Sequence, residues 1–432
     1  MRQNLTVEEA LEVILEHARP LTQTEELPLA RAYGRVLAQD LAALVNHPDQ
    51  DDTSLDGYAA RAEDTLTATP ENPVRLRVIG EAPAGRPFPR EVGPGEAVWI
   101  FTGAPIPKGA NAILRVEDTR REGDTVLFFK PANPDGIRPK GDDFRAGEVL
   151  LKKGDLLTPG RIGLCAAMGY PRVPVFKRPK VGILTTGDEV VEPGQPLPYG
   201  GVYNANNYSL AALVWEAGGE PILMGRIPDQ PQLLREKLAE AGGLDLLLTT
   251  GGVSMGEHDI VRQLLEGEVK PPQRPGDAGT PVKPPQRPGD AGAQGQIHFW
   301  KVRLQPGGPL LFAEWNRIPL FGLPGNPVSS MVTFFLFARP YLFKALSRTD
   351  APYSLLEATA ATPFSPNPSK VAYRRAVLSF GLDGLQVRTT GNQSSGVLRS
   401  MAVGNALVVL EPGVGVEAGQ RVRVIPLGFT LG

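Results

Sequence analysis

The chain has 432 residues, of which 41% are hydrophobic, and its 45 Lys and Arg side chains nearly balance its 47 Asp and Glu. A chain of this length exceeds one ordinary hydrophobic core, so we expect several domains. The near-neutral charge excludes a broad basic surface, and we therefore expect no nucleic-acid partner. The single cysteine, Cys165, excludes a disulfide within the chain and argues against a cysteine-based zinc site.

The first predicted element is a capped helix. Thr6 to Glu9 form a capping box, with Thr at the N-cap and Glu three residues later. Apolar residues then recur at helical spacing from Val7 to Ala18, and Pro20 ends the helix. The N-terminus therefore does not resemble a charged and then apolar leader, and no apolar run is long enough to cross a membrane. We expect a cytoplasmic protein with no membrane partner.

A β-rich region is predicted from residue 41 to about residue 178. Short apolar runs alternate there with turns rich in Pro and Gly, which is typical of strands. The runs are Val74–Ile79, Ala97–Phe101, Ala112–Val116 and Val126–Phe129. A helix is predicted at Arg161–Met168, where Cys165 has apolar neighbours and is expected in the core.

From residue 179 strands alternate with helices, which predicts a parallel sheet covered by helices. The predicted elements are strand Val181–Leu184, helix Asn206–Ala217, strand Pro221–Gly225, helix Pro231–Ala241 and strand Leu244–Thr249. In such a sheet, ligands bind beyond the carboxyl ends of the strands. From residue 348 onward, four short β-like runs with Gly turns predict a small barrel or sandwich.

Three strand ends in the α/β segment carry clusters of Gly, Thr or Asn. They are Thr185–Glu189, Thr249–Asp259 and the turn Pro324–Pro327. A glycine turn before a helix brings backbone N–H groups close to an anion, and the helix dipole adds to the attraction.

Three carboxylates follow strand or turn ends in the same segment: Glu189, Asp229 and Asp259. One or two carboxylates suffice for Mg²⁺, which usually keeps several waters. The pattern therefore predicts a phosphorylated ligand that is handled with a divalent cation. Each carboxylate alone is equally typical of a helix cap or a surface charge.

A second unusual feature is a duplicated segment. Val269–Gly279 recurs without change as Val282–Gly292, and it is rich in Pro, Gly and Gln. Because it lacks core-forming residues, we expect residues 269–292 to form an exposed loop rather than a solenoid.

Eight segments in order along the chain together resemble the molybdopterin molybdenumtransferase family, the MoeA and gephyrin E-domain type. They are DDTSLDGYAAR (51–61), FTGAPIPKGANAILRVED (101–118), IRPKGDDF (137–144), ILTTGDEVVEPG (183–194), YNANNYSL (203–210), TTGGVSMGEHD (249–259), FWKVRLQPGGPL (299–310) and FGLPGNPVSSMVTF (321–334). Each is a weak signal alone, and the set is specific.

The resemblance implies a multidomain α/β plus β fold. It assigns 1–40 and 145–178 to an N-terminal helical and linker domain, and 41–144 to an elongated β-rich domain. It assigns 179–347 to a three-layer molybdopterin-binding α/β domain with a parallel-type sheet, and 348–432 to a barrel-like β domain. It also implies a homodimer, with the active cleft between the α/β domain of one subunit and the β domain of the other.

The resemblance further implies Mg²⁺-dependent insertion of molybdate into adenylylated molybdopterin, which yields molybdenum cofactor and AMP. A partner is then the molybdopterin adenylyltransferase of the same pathway. Three alternatives stay open: a tungstate-inserting paralogue, a molybdopterin adenylyltransferase, and a non-catalytic scaffold.

By motif position, the resemblance implies catalytic roles for Asp56, Thr102, Asp143 and Lys301. It implies metal ligation by Glu189, Asp229 and Asp259. The implied substrate-binding residues are Thr186, Gly187, Gly251, Gly252, Ser254, Pro324, Gly325 and Asn326.

The chain departs from the family where a KPGKP segment is usual. Gln305 and Gly308 replace its two lysines, so two cations are missing. Either Lys301 and a nearby arginine (Arg303, Arg374 or Arg375) supply the charge, or the affinity for an oxyanion is reduced.

Overall fold

The computed structural model describes residues 2–252, 260–266 and 295–428. The duplicated segment and most of the turn after Gly252 lie outside these residues. Three large sheets organise the described chain: one of seven strands and two of six. No helix in the described ranges is long and apolar enough to cross a membrane.

The predicted capping box is confirmed. Glu9 Oε2 accepts a hydrogen bond from Thr6 N at 2.7 Å, and Thr6 Oγ1 accepts one from Glu9 N at 3.1 Å. The helix Val7–Glu16 follows a short strand, Arg2–Leu5, that pairs in parallel with Gly295–Val302. The buried face of this helix contributes to the same core as the α/β sheet. The first elements of the chain therefore pack on a sheet that is built largely from residues after 179.

The β-rich region forms a mixed six-stranded sheet, with both antiparallel and parallel pairings. The four strands predicted for this region are confirmed. In spatial order the strands are Ala112–Arg115, Gly57–Ala60, Glu96–Ile100, Val74–Ala82, Thr125–Phe128 and Thr119–Glu122. The same part of the chain also forms three two-stranded ladders: Leu41–Ala42 with Val149–Leu151, Asp52–Thr53 with Ile137–Arg138, and Thr24–Pro28 with Arg172–Phe176. The predicted second helix spans Pro159–Ala167, and its Cys165 is completely buried as expected.

The α/β unit contains the seven-stranded sheet. In spatial order its strands are Arg2–Leu5, Gly295–Val302, Leu311–Trp315, Ile318–Leu323, Leu246–Thr250, Lys180–Thr186 and Glu220–Ile227. The last four of these run parallel to one another, as predicted. The strand Leu311–Trp315 is antiparallel to both of its neighbours, so the sheet as a whole is mixed. The two-residue connection Asn316–Arg317 explains this, because so short a link joins only antiparallel strands.

Helices cover both faces of this sheet and give it three layers. They are Asn206–Glu216, Pro231–Ala239, Ile260–Leu265, Pro327–Thr333 and Arg339–Ala345, the last two joined by a π-helical segment, Phe334–Ala338. One core lies beneath each face: Val214, Phe321 and Phe337 belong to the first, and Leu234 and Leu247 to the second. The strand Leu246–Thr250 is buried along its whole length; its first three residues are leucines, as expected for a parallel strand covered on both sides, and its last two are threonines.

The C-terminal region is a barrel, which is one of the two forms, barrel or sandwich, that the sequence predicts. Its strands in spatial order are Leu304–Gln305, Val371–Gly381, Gly384–Thr389, Leu356–Ala360, Arg421–Pro426 and Ala406–Leu410. An additional pairing between Val371–Gly381 and Ala406–Leu410 closes five of the strands on themselves. Closure removes free sheet edges and leaves a small apolar interior.

Candidate functional site

A cleft of about 730 Å³ opens at one edge of the α/β sheet. It lies beyond the carboxyl ends of Lys180–Thr186, Leu246–Thr250 and Ile318–Leu323, which is where parallel sheets bind ligands. Its volume lies within the range of small-molecule sites. The predicted residues that line it are Thr186, Gly187, Glu189, Asp229, Gly251, Gly252, Pro324, Gly325 and Asn326.

The turn after the strand Leu246–Thr250 depends on two glycines. Gly251 and Gly252 both have left-handed backbones, with φ of 83° and 63°. A Cβ on Gly251 would lie 2.5 Å from the carbonyl oxygen of Thr186 and 2.8 Å from its hydroxyl. The glycines therefore allow two strand ends to approach closely. Within residues 2–252, 260–266 and 295–428, the Thr186 hydroxyl is buried at this contact without a hydrogen-bond partner.

A second turn follows the strand Lys180–Thr186 and carries the carboxylates. Glu189 is exposed at the cleft, and its carboxylate lies over Gly187. Arg226 holds this turn, because its guanidinium donates to the carbonyl oxygens of Gly187 and Asp188 at 3.2 and 2.9 Å. The backbone N–H of Asp229 donates to Asp188 Oδ1 at 3.3 Å, so the loop that carries Asp229 is tied to the same turn. The two predicted carboxylates thus share one cleft.

The third turn, Pro324–Asn326, connects the α/β unit to the barrel. The Ser330 hydroxyl donates to the carbonyl oxygen of Pro324. Asn326 Nδ2 donates to Ser395 Oγ of the barrel at 3.0 Å. Gly396 and Leu398, which follow Ser395, line the cleft. The barrel therefore supplies one wall of the site within a single chain.

A buried arginine holds that wall in place. Arg375 is completely buried, and its guanidinium donates to Ser400 Oγ at 3.1 Å and to the carbonyl oxygen of Ser394 at 3.0 Å. Burial, with a smaller contribution from the neighbouring Arg374, lowers the pKa of Arg375 to about 10. Arg374 instead donates to the carbonyl oxygen of Ser365 at 2.9 Å.

Sequence reasoning missed a set of asparagines and threonines beneath the cleft. The Thr185 hydroxyl contacts Asn207 Oδ1 at 2.6 Å and Thr250 Oγ1 at 3.0 Å. Asn204 donates from Nδ2 to Glu192 at 2.8 Å, and Asn206 donates from Nδ2 to the carbonyl oxygen of Gly325 at 2.8 Å. The segment YNANNYSL contained the signal: three asparagines at the start of a helix directly after a strand. Their position against other strand ends depends on the tertiary fold.

Four predicted residues lie outside this cleft. Asp56 and Thr102 are brought together, since Asp56 Oδ1 accepts hydrogen bonds from Thr102 N at 2.7 Å and from its hydroxyl at 2.9 Å. These bonds, the backbone one first, hold the pKa of the Asp56 carboxyl below its ordinary value. Asp143 is exposed in the β-rich region. Lys301 has a left-handed backbone, and its Nζ lies 3.9 Å from the centroid of the Trp300 ring.

Two further predicted residues, Ser254 and Asp259, lie outside the described residues. In the described ranges, no three His, Cys, Asp or Glu side chains converge to hold a metal ion. Of the predicted metal ligands, Glu189 and Asp229 line the cleft, and oxygen is the ligand atom that Mg²⁺ prefers. The donor set at the cleft fits that ion, because both side chains offer oxygen ligands.

The segment that replaces the family lysines also borders the cleft, through Pro309. Gln305 Oε1 accepts a hydrogen bond from Asn367 Nδ2 at 3.0 Å. A Cβ on Gly308 would lie 3.7 Å from Nζ of Lys370. An ammonium group from the barrel thus lies beside the position where a lysine is missing.

Comparison with known proteins agrees with this architecture. Three family models match: the MoeA N-terminal region (domain I and II) over residues 5–169, a probable molybdopterin-binding domain over 182–274, and the MoeA C-terminal region (domain IV) over 357–427.

Full-length relatives are similar as well. The molybdopterin molybdenumtransferase of Haemophilus influenzae is 32% identical over 99% of this chain and 100% of its own length. Molybdopterin molybdenumtransferase 2 of Mycobacterium tuberculosis is 37% identical, over 95% of this chain and 96% of its own. The crystal structure of a molybdopterin biosynthesis MoeA protein from Pyrococcus horikoshii superposes with a TM-score of 0.81 at 30% identity, covering 98% of this chain and 100% of its own. The chain belongs to the molybdopterin molybdenumtransferase family and is a transferase of molybdenum cofactor biosynthesis.

Proposed function

We propose that the chain inserts molybdate into adenylylated molybdopterin in a Mg²⁺-dependent reaction that releases molybdenum cofactor and AMP. One observation carries the proposal: two carboxylates, Glu189 and Asp229, share a cleft with the glycine turns of three parallel strand ends. Glycine turns offer backbone N–H groups to phosphates, and carboxylates offer oxygens to a cation. A phosphorylated substrate handled with Mg²⁺ fits both halves of this arrangement. The names of the full-length relatives supply the substrate class.

Glu189 and Asp229 are the residues that would hold Mg²⁺, and Asp259, outside the described residues, belongs to the same proposal. When bound, the ion would neutralise phosphate charge and polarise the phosphoanhydride as a Lewis acid. Arg226 has a positioning role, since it donates to two carbonyl oxygens of the turn that carries Glu189. Thr186, Gly187, Gly251, Gly252 and the turn Pro324–Asn326 would bind the pterin and its phosphate, together with Ser254.

Molybdate is a dianion, so its approach to a phosphoanhydride requires positive charge. Lys301 is the catalytic cation of the proposal. Lys370 lies beside Gly308 and offers a second ammonium group near the cleft. Arg375 acts indirectly, because its hydrogen bonds to Ser394 and Ser400 hold the barrel wall.

We propose that a second copy of the chain brings Asp56, Thr102 and Asp143 to the cleft. They lie in the β-rich region and do not line the cleft of their own chain. We infer a homodimer in which the β-rich region of one copy completes the cleft of the other. Thr102 and Asp56 would then position the oxyanion by hydrogen bonds. A molybdopterin adenylyltransferase, which supplies the adenylylated substrate, is the proposed partner enzyme.

The direct test measures AMP release from adenylylated molybdopterin with Mg²⁺ and either molybdate, tungstate or no oxyanion. We expect release that requires both the metal and the oxyanion, and faster release with tungstate would instead favour the tungstate-inserting alternative. Glu189→Gln, Asp229→Asn and Asp259→Asn should each lose the metal-dependent release while the chain stays folded. Glu236→Gln, on the exposed surface of the helix Pro231–Ala239, is the matched control. AMP release at the parent rate in the first three variants would refute the carboxylate–metal model.

The shared cleft has its own test. Glu189→Gln and Asp56→Asn should each be inactive, and mixing them under conditions of subunit exchange should restore about a quarter of the sites, because half the dimers then hold one intact cleft. Absence of restored activity, with exchange verified by a mass tag, would show that each cleft is completed within one chain.

A further inference from the structure

Asn206 is the first residue of the helix Asn206–Glu216, and only 8% of its surface is exposed. Its Nδ2 donates to the carbonyl oxygen of Gly325 at 2.8 Å. A carbonyl oxygen only accepts hydrogen bonds, so the amino end of this side-chain amide must face Gly325. The orientation of the amide is therefore determined by chemistry, and Oδ1 must point away from Gly325.

This Oδ1 is buried and has no hydrogen-bond partner among the residues that the structure describes. Asn206 lines the cleft, as does Thr186, whose hydroxyl is also buried and has no partner in the described part of the chain. A buried acceptor without a donor destabilises the ligand-free chain, because it has lost its hydrogen bonds to water. A ligand that brings a donor removes this penalty, which favours binding. Phosphate and molybdate oxygens cannot be that donor, since ionised oxyanions only accept hydrogen bonds. The donor that Asn206 Oδ1 lacks is therefore an N–H or O–H group, and a ligand in the cleft can supply it.

We propose that Asn206 is a specificity-determining residue whose Oδ1 accepts a hydrogen bond from the exocyclic amino group of a heteroaromatic ring. The assignment rests on the proposed function and deepens it. Two rings of the proposed substrate carry such a group: the pterin at its 2-position and the adenine at its 6-position. The glycine turns then bind the anionic part of the substrate, and Asn206 selects its heterocycle.

Two substitutions separate the role of Oδ1 as an acceptor from the role of Nδ2 in the bond to Gly325. Asn206→Leu removes both the acceptor and the bond to Gly325 at similar volume. Asn206→Asp loses the bond to Gly325 but keeps an oxygen that accepts from the ligand. Ser209→Ala, on the same helix and outside the cleft lining, is the matched control.

The experiment compares ligand pairs that differ in the amino group, by calorimetric titration of the full-length chain. AMP is compared with purine riboside 5′-monophosphate, which lacks the 6-amino group. Pterin is compared with lumazine, in which a carbonyl oxygen replaces the 2-amino group. The wild-type chain should prefer the amino ligand of one pair by about 10- to 100-fold, and that pair identifies the ring that Asn206 contacts. The preference should fall to about one-fold in Asn206→Leu and persist in Asn206→Asp and Ser209→Ala.

A merely structural role would weaken both ligands of a pair equally in Asn206→Leu and leave their ratio unchanged, which would overturn the proposal. If the wild-type chain bound both ligands of each pair with equal affinity, the proposal would be overturned without any variant. The proposal can therefore be refuted even if Asn206→Leu does not fold. A wild-type chain that prefers the amino ligand but releases no AMP from adenylylated molybdopterin would support this assignment and refute the proposed reaction.

Discussion

Replacement of Gly251 by alanine tests the closest approach in the cleft. Gly251 has φ of 83°, and an added Cβ would lie 2.5 Å from the backbone carbonyl oxygen of Thr186. The left-handed backbone costs a residue with a Cβ about 1–2 kcal/mol. Forcing packed atoms apart costs about 1–3 kcal/mol more. We therefore expect Gly251→Ala to lower the free energy of unfolding of the α/β unit by about 2–5 kcal/mol.

Two adjacent glycines, Gly242 and Gly243, provide controls that separate the cost of the left-handed backbone from the cost of the steric contact. Gly243 has φ of 85° with no atom within 4 Å of an added Cβ, so Gly243→Ala carries the backbone strain alone. Gly242 has neither the left-handed backbone nor a contact, so Gly242→Ala should change stability by less than about 1 kcal/mol. Both are exposed.

The assay is unfolding in guanidinium chloride followed by tryptophan fluorescence. Three of the four tryptophans, Trp215, Trp300 and Trp315, lie in the α/β unit, and a Trp99→Phe background removes the fourth. The order of midpoints should be Gly242→Ala, then Gly243→Ala, then Gly251→Ala at the lowest denaturant concentration. Equal midpoints for Gly243→Ala and Gly251→Ala would refute the contact between the two strand ends.

Three further outcomes are expected. Thr102→Val removes the weaker of the two bonds to Asp56 and keeps the backbone bond, so the pKa of Asp56, measured by NMR titration, should rise only part of the way to its ordinary value. Because that pKa is depressed in the folded chain, the stabilisation is present above the unfolded-state pKa and lost as the pH falls through the folded-state value; an unchanged pKa would contradict the contact. Thr6→Ala should destabilise the first helix by about 1 kcal/mol, as judged by amide exchange of residues 7–10, and unaltered exchange would contradict the cap. Burial raises the pKa of the Cys165 thiol, so this thiol should react with a maleimide only after denaturation, and rapid labelling of the native chain would contradict its burial.

Local patterns explain which parts of the fold were predictable. The capping box of Thr6 and Glu9 acts over three residues, and the structure shows both of its hydrogen bonds. The clusters at the strand ends were also visible, because Gly and Pro mark turns and parallel strands bring their carboxyl ends to one edge. Nine of the predicted site residues consequently meet at one cleft.

Non-local pairing explains the rest. The strand Arg2–Leu5 pairs with Gly295–Val302, and nothing within its four residues specifies a partner almost three hundred positions away. The antiparallel pairing of Leu311–Trp315 follows from the two-residue link Asn316–Arg317, which is visible in the sequence. The alternation of strands and helices in the rest of this segment predicted only parallel strands. Asn206 resembles any polar residue at a helix start until the fold places Gly325 beside it.

The distribution of charge around the cleft bears on how this chain differs from its family's usual pattern. A lysine at position 308 would project its Cβ toward two backbone carbonyl oxygens, those of Leu304 and Val302, at 3.3 and 3.4 Å, so this backbone has closed tightly around glycine. Lys370 reaches the same place from the barrel, with its Nζ 3.7 Å from that Cβ position. Coulomb attraction depends on where a charge lies and not on which strand carries it, so Lys370 places a positive charge where the family usually has a lysine. One of the two positive charges absent at positions 305 and 308 is therefore supplied from the barrel, whereas Gln305 accepts a hydrogen bond from the neutral Asn367.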